Sequence, residues 1–246
     1  MIKTLILIPS RLGAKRLPGK PLLKINNLSI ISHVVKIAKK AKIGDVYVAT
    51  DSIKIKKDVQ KNGGRCVLTK KTHKTGTDRI YEAFKKLKKK NINYIINLQG
   101  DEPNIKTEDI KNLNKLMYKN KSEIGTLATL IRDKNILSKK NFVKVKTEKP
   151  LKRRNFSRAI NFFRNLNKKK KITNIYHHKG IYAFSVSALT KINSLQRSKN
   201  EKKFKLEQLR AIDNNIKINV SLSRNLSFGV DTLQDYIDIK KIMEYK

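Results

Sequence analysis

Over its first hundred residues the chain alternates short apolar runs with amphipathic segments, and this alternation constrains the fold more than any other feature. Thr4–Ile8, Val46–Thr50, Arg65–Leu68 and Asn93–Leu98 read as strands, short and partly β-branched. Between them lie three helical stretches. Ser29 is placed to cap a helix from Ile30 to about Lys42, with Ile30, Ile31, Val34, Val35, Ile37, Ala38 and Ala41 on one broad stripe. Ile53–Lys61 is a polar helix broken by Asn62-Gly63-Gly64, and Thr77–Lys90 carries Ile80, Ala83, Phe84 and Leu87 on one face. Strands and helices in strict alternation predict a parallel sheet with helices on both faces. In such sheets ligands bind beyond the carboxyl ends of the strands. Three polar clusters fall at those ends: the loop after Ile8, Thr50-Asp51, and Gln99-Gly100-Asp101-Glu102.

The second half is more mixed. Gly125–Arg132, Phe142–Thr147, Lys179–Phe184 and Lys217–Leu222 read as strands, an antiparallel extension of the same sheet. Asn155–Asn174 reads as irregular and basic, Phe204–Asp213 as a helix, and Leu233–Tyr245 as a closing helix capped by Asp231 or Thr232. No linker rich in Gly or Ser and no internal repeat divides the chain, so a single domain over 1–246 is expected.

Composition narrows the setting. The single cysteine, Cys66, excludes an internal disulfide framework and suits a reducing compartment, with a small buried hydrophobe as its plainest role. No run of about 18 apolar residues is present, so no membrane span is expected. The apolar run Leu5–Ile8 is too short for a signal peptide's core, and no small-residue cleavage site follows. A cytoplasmic protein is therefore expected. Lys plus Arg number 58 against 19 Asp plus Glu. That excess permits nonspecific binding to a polyanion, but it is mostly lysine and spread over the whole chain, including the runs Lys85–Lys90 and Lys168–Lys171. It reads equally as a solvated surface or as the imprint of genomic base composition, and no specific nucleic-acid partner is expected.

The stretch PSRLGAKRLPGKP, Pro9–Pro21, follows the first strand and packs Arg11, Lys15, Arg16 and Lys20 around two glycines. It is not a Walker loop: five residues, not four, separate Gly13 from Gly19, and Pro21 stands where a Ser or Thr would hold a metal. It reads either as an ordinary basic connection or as an anion cradle in which Arg11 offers a fork of donors and Lys20 a mobile point charge. Asp101, delivered by an apolar strand, is suited to a hard cation such as Mg²⁺, or belongs to a turn capping the next helix. Asp231, in GVDT, reads as a second metal ligand if it converges with Asp101, or as a helix cap. His73–Arg79 is a polar loop entering a helix, able to read a nucleobase or ribose. His177-His178 lacks zinc-site spacing, and G-x-S-x-G and G-x-G-x-x-G are both absent.

Taken together, these segments resemble the 3-deoxy-D-manno-octulosonate (Kdo) cytidylyltransferases. IPSRLGAKRLPGKPL is similar to that family's I-P-A-R-x-x-[ST]-x-R-L-P-G-K-P-L. VATDS at Val48–Ser52, HKTGTDR at His73–Arg79, INLQGDEP at Ile96–Pro103, FSR at Phe156–Arg158, HKGIYAF at His178–Phe184, LEQLR at Leu206–Arg210 and GVDT at Gly229–Thr232 follow in the family's order. The related sialic-acid enzymes carry a different loop, with K-G-I-P-x-K-N. The resemblance implies a Rossmann-like nucleotide-diphospho-sugar transferase (glycosyltransferase-A-like) fold, α/β, with a mixed, mostly parallel sheet. It implies transfer of CMP from CTP to Kdo, a homodimer, and a sugar-binding and dimer-forming portion within about 135–215. It also implies that Arg11, Lys20 and Asp101 are catalytic. CTP is then held by Arg11, Arg16, Lys20, Thr77, Asp78, Arg79 and Gln99, and Mg²⁺ by Asp101 and Asp231. Kdo is held by Gln99, Arg158, His178, Tyr182, Glu207 and Gln208.

Two segments depart from the family. Ala159-Ile160-Asn161 after FSR lacks the usual proline, and Lys199–Phe204 keeps only Glu201 of P-L-E-x-x-E. Both lie in the sugar-binding half, so 8-amino-Kdo or a sialic-acid-like ulosonic acid stands as the alternative substrate.

Overall fold

A computed structural model describes residues 3–13, 16–131, 137, 141–165, 173–225 and 227–244. Lys15, the run Lys168–Lys171, the end of the strand expected to reach Arg132, and Tyr245 lie outside the described residues. The chain forms two compact units, Met1–Lys111 with Ser227–Lys246, and Asn112–Leu226.

The first unit has the expected alternation. Strands β1 (Thr4–Ser10), β4 (Gly44–Thr50), β5 (Cys66–Leu68) and β6 (Tyr94–Asn97) are all parallel, in the order β5-β4-β1-β6. Register aligns Ser10 with Thr50, Thr50 with Leu68 and Leu7 with Asn97, which brings the carboxyl ends to one sheet edge. Almost every residue of β1 and β6 is buried, whichever way its side chain points. Both faces are therefore covered, as a parallel sheet requires. A small hairpin, β2 (Lys24–Ile25) with β3 (Leu28–Ser29), precedes the first helix. Its two-residue strands are too short to leave a signal in the sequence.

The helices start where side-chain oxygens can take up orphan backbone N–H groups. Ser29 accepts from Ser32 N at the start of α1 (Ile30–Lys40), Ser52 from Ile55 N at α2 (Ile53–Lys61), and Thr75 from Asp78 N at α3 (Gly76–Leu87). The third helix stops three residues short of the expected Lys90, because Lys88 turns left-handed at φ 48°. Helix α4 (Thr107–Asn120) carries the chain into the second unit.

The last helix, α8 (Leu233–Glu244), belongs to the first unit. Thr232 Oγ1 accepts from Asp235 N, and Asp235 returns its carboxylate to the N–H groups of Asp231 and Thr232. This is a capping box with Thr232 as the cap. Val230 and Ile239 then pack with Ile25 and Ile30 in a small core, against which Leu17, Leu23, Phe228 and Tyr236 rest. Tyr236 Oη donates to Lys24 O at 2.6 Å. The end of the chain is thereby fastened to the loop that follows β1.

In the second unit β10 (Ile175–Ser185) pairs antiparallel with β7 (Ile124–Thr129) on one side and with β8 (Lys144–Thr147) on the other. Strand β11 (Ile218–Leu222) runs parallel to β7, and β9 (Ser157–Phe163) pairs antiparallel with both β11 and β8. The five strands thus close on themselves. Closure removes exposed edges, which otherwise invite pairing with other chains.

Strand β9 corrects the irregular reading of Asn155–Asn174. Its alternation is broken because Ile160 and Asn161 are both exposed, so no period-two pattern marks it. Strand β10 also begins earlier than Lys179, and α5 (Val186–Ser194) was not foreseen. The helix expected over Phe204–Asp213 is shorter, α7 (Leu209–Asp213), and another short helix, α6 (Lys199–Phe204), precedes it. Lys205, left-handed at φ 54°, ends α6, so Glu207 and Gln208 lie in the turn between them.

Candidate active site

The opening loop leaves β1 at Ser10 and returns through Gly19, whose φ of 71° falls where a side chain is strained. Gly19 N donates to Leu12 O at 3.3 Å, and Lys20–Leu22 forms a short 3₁₀ turn with Pro21 inside its first turn. That turn aims Lys20 inward. Its side chain is 12% exposed, and Nζ lies 2.6 Å from Asp101 Oδ2 and 3.3 Å from Asp231 Oδ1. Arg16 adds a contact of 3.0 Å to Asp231 Oδ2. Burial would pull the Lys20 ammonium down, but Asp101 and then Asp231 outweigh it and hold the group above its ordinary value.

The two carboxylates converge because their loops are stitched together. Val230 N donates to Asp101 O at 2.9 Å, Ser227 Oγ to Glu102 Oε2 at 3.0 Å, and Phe228 N to Asn104 Oδ1 at 3.3 Å. Gly100 lets the Asp101 loop sit close to β1. A Cβ there would stand 2.9 Å from Pro9 O, closer than real contacts allow, and a tight 3.0 Å from Ile31 Cδ1. Among the described residues no cluster of three or more His, Cys, Asp or Glu could hold a metal. Two carboxylates sharing one cation are nevertheless the donor set that suits Mg²⁺, which takes one or two carboxylates and fills its remaining positions with water and phosphate. The Lys20 ammonium already bridges the pair, so the carboxylate oxygens are oriented for a cation.

The remaining residues expected on the nucleotide side are placed differently. Arg11 is exposed, Gln99 and Asp78 are half-buried, and Thr77 is buried at the start of α3. Arg79, also expected on the nucleotide side, lies in α3. It is 3% exposed, and its guanidinium donates to Thr69 Oγ1 at 2.6 Å and Asp51 Oδ2 at 2.9 Å. It therefore ties α3 to the carboxyl end of β4. Asp51 was visible as a polar strand end, but its partner was not.

In the second unit His178 and Tyr182 are neighbours on β10, ring centroids 5.2 Å apart, with Phe162 edge-on to His178. Thr126 Oγ1, absent from the sequence-based expectations, fixes the imidazole. Its hydroxyl proton goes to Ile181 O at 2.7 Å, so His178 Nε2 donates to the oxygen at 3.0 Å and Nδ1 is left as an acceptor. Tyr182 Oη is buried without a hydrogen-bond partner among the described residues. Burial, and then the charge of Glu207, push the Tyr182 phenol well above its ordinary range. Arg158 is exposed on β9, and Glu207 and Gln208 are half-buried.

Burial pushes His178 down to about 3, with a smaller push from His177. His177, also buried, falls to about 4, with Lys144 and Lys179 adding to the effect of burial. The unfolded chain takes up protons near pH 6.5, and the folded imidazoles refuse them. Stability should therefore fall as pH drops from about 6.5 toward 4. Urea midpoints at pH 7.5 and pH 5 test this. The wild-type midpoint should fall more than that of His178→Gln, and equal falls would refute the assignment.

Cys66 is half-buried, and burial pushes its thiol up to about 12, so it is an inert thiol at neutral pH. No helix among the described residues is long and apolar enough to cross a membrane.

Comparison with known proteins agrees with this arrangement. The cytidylyltransferase family model matches residues 5–218. The 3-deoxy-manno-octulosonate cytidylyltransferase of Thermodesulfovibrio yellowstonii is 43% identical over 241 residues, covering 94% of each chain. A solved structure of CMP:2-keto-3-deoxy-manno-octonic acid synthetase complexed with CTP superposes with a TM-score of 0.88 at 32% identity, covering 99% of both chains. A UDP-glucose pyrophosphorylase complexed with UDP-glucose, 14% identical and covering 98% of both chains, superposes with a TM-score of 0.68 and shares the fold alone. With the α/β nucleotidyltransferase fold, the matched motifs and near full-length identity in agreement, the chain belongs to the cytidylyltransferase family, within its 3-deoxy-manno-octulosonate cytidylyltransferase branch.

Proposed function

We propose that this protein transfers CMP from CTP to the anomeric 2-hydroxyl of Kdo, releasing pyrophosphate and giving CMP-Kdo for lipopolysaccharide or capsule synthesis. The observation that carries the reading is the meeting of Lys20, Asp101 and Asp231, from three distant stretches of sequence, beside a basic loop. In the reaction the sugar oxygen forms a bond to the α-phosphorus as the bond from that phosphorus to the bridging oxygen breaks. Most of the protein's task is to position the reactants and neutralise charge.

Arg11, Arg16 and Lys20 take the triphosphate. Asp101 and Asp231 hold Mg²⁺, which when bound offsets charge building on the phosphates. Thr77, Asp78 and Gln99 face the nucleotide, with Arg79 as a positioning residue acting through Asp51. Gln99, Arg158, His178, Tyr182, Glu207 and Gln208 grip the sugar acid's hydroxyls and carboxylate. The Tyr182 hydroxyl, without a partner among the described residues, and the acceptor nitrogen of neutral His178 suit hydroxyl recognition. The enzyme works in the cytoplasm as a homodimer, with substrate-gripping and dimer-forming residues within about 135–215.

Pyrophosphate release with CTP, Mg²⁺ and a panel of Kdo, 8-amino-Kdo and a sialic acid tests the reading. Kdo should be turned over fastest. Release with a sialic acid but not with Kdo would overturn the substrate and leave the cytidylyltransferase chemistry standing.

A further inference from the structure

The Lys20 ammonium lies where two carboxylates would otherwise share a metal ion. It is 12% exposed, and its partners Asp101 and Asp231 are 30% and 46% exposed. With Arg16 on the outer oxygen of Asp231, two positive side chains balance two negative ones. A divalent cation entering this arrangement would meet a balanced site and an ammonium in its way. A triphosphate arriving at the loop brings several negative charges, and Lys20, on a flexible four-carbon stem, can follow them.

We propose that Lys20 is a built-in stand-in for the metal, keeping the Asp101–Asp231 pair closed to divalent cations until a nucleotide triphosphate draws the ammonium away. Metal and nucleotide binding are then reciprocally coupled, each raising the affinity for the other. The site stays metal-poor at rest, and its metal arrives with CTP. This inference rests on the assignment of Asp101 and Asp231 as the metal-holding pair.

The test is Mn²⁺ binding to the full chain, followed by electron paramagnetic resonance of free Mn²⁺, with and without a non-hydrolysable CTP analogue. Lys20→Met should bind Mn²⁺ alone about ten- to a hundredfold more tightly than wild type. Lys20→Arg, which keeps the charge, should stay close to wild type. The analogue should strengthen Mn²⁺ binding strongly in wild type and far less in Lys20→Met. Lys20→Gln repeats the measurement should the Met variant be unstable, and circular dichroism verifies the fold of each. Equal Mn²⁺ affinity of wild type and the neutral variants without nucleotide overturns the proposal. Asp101→Asn separates the two claims. If it weakens Mn²⁺ binding in the presence of the analogue, the metal pair stands, and only the stand-in role is at stake. If it has no effect, the metal assignment itself falls, and the stand-in role with it.

Discussion

Asp101→Asn should lower the rate of pyrophosphate release by about 10²- to 10³-fold, the scale seen when one preorganised charge-stabilising group is removed from an active site. The substitution keeps shape and hydrogen-bonding capacity but removes the charge that Lys20 meets at 2.6 Å. It also removes one of two carboxylates available to a hard cation. The backbone of residue 101 should stay in place, since its carbonyl still accepts from Val230 N and Gly100 still fits against Pro9. Far-UV circular dichroism and the melting temperature should therefore change little while turnover collapses. A folded Asp101→Asn protein with normal turnover would remove this residue from the metal site. Asp231→Asn should act in the same direction but more weakly, because its side chain is more exposed and its cations are better screened by water.

Arg210→Met should destabilise the protein by about 3–5 kcal/mol, the usual cost of removing one partner from a buried ion pair. Glu201 is fully buried, and Arg210 grips it through Nε at 2.8 Å and a second guanidinium nitrogen at 2.9 Å. Arg197, 36% exposed, adds a third contact at 2.8 Å. Burial alone would raise the Glu201 carboxyl, but Arg210 and then Arg197 reverse this and hold it below its usual range. Once Arg210 is gone, a buried carboxylate keeps, among the described residues, only its half-exposed partner Arg197. Urea unfolding monitored by circular dichroism measures the loss. The double variant Glu201→Leu/Arg210→Met should recover much of it, since no uncompensated charge remains. A single variant as stable as wild type would show that the pair holds nothing together. Because Glu201 is in α6 and Arg210 in α7, the pair also closes the turn that carries Glu207 and Gln208.

Much of the first unit was legible because its elements follow local rules. Ile53–Lys61 is helical between the limits its polarity and the Asn-Gly-Gly break suggest, and Ser29 caps α1 through its own hydroxyl. Strands buried on both faces leave continuous apolar runs that no turn signal interrupts. The second unit was less legible. The two exposed residues in the middle of β9 erase its alternation, and one left-handed residue, Lys205, divides a segment whose composition favours a continuous helix. The residues of the candidate site were legible as motifs, but their meeting was not. Lys20 lies 81 residues from Asp101 and 211 from Asp231, and no periodicity reaches so far. The inward turn of Arg79 was hidden too, because a helix-start arginine looks the same in sequence whether it faces a ligand or Asp51.

The fastening of the last helix beside β2 and β3 has a consequence for synthesis on the ribosome. The first unit is discontinuous: residues 227–244 join it only after the whole of 112–226 has been made. Until then Ile25 and Ile30 lack Val230 and Ile239, and Asp101 lacks its companion. Domains usually fold from the N-terminus as they emerge. Here the second unit can finish while the first still waits for residues 227–244. Ribosome-bound chains stalled before residue 227 should stay protease-sensitive around residues 16–30, and stalled chains that expose residue 244 should not. Equal protection in both would mean that the first unit closes without its final helix.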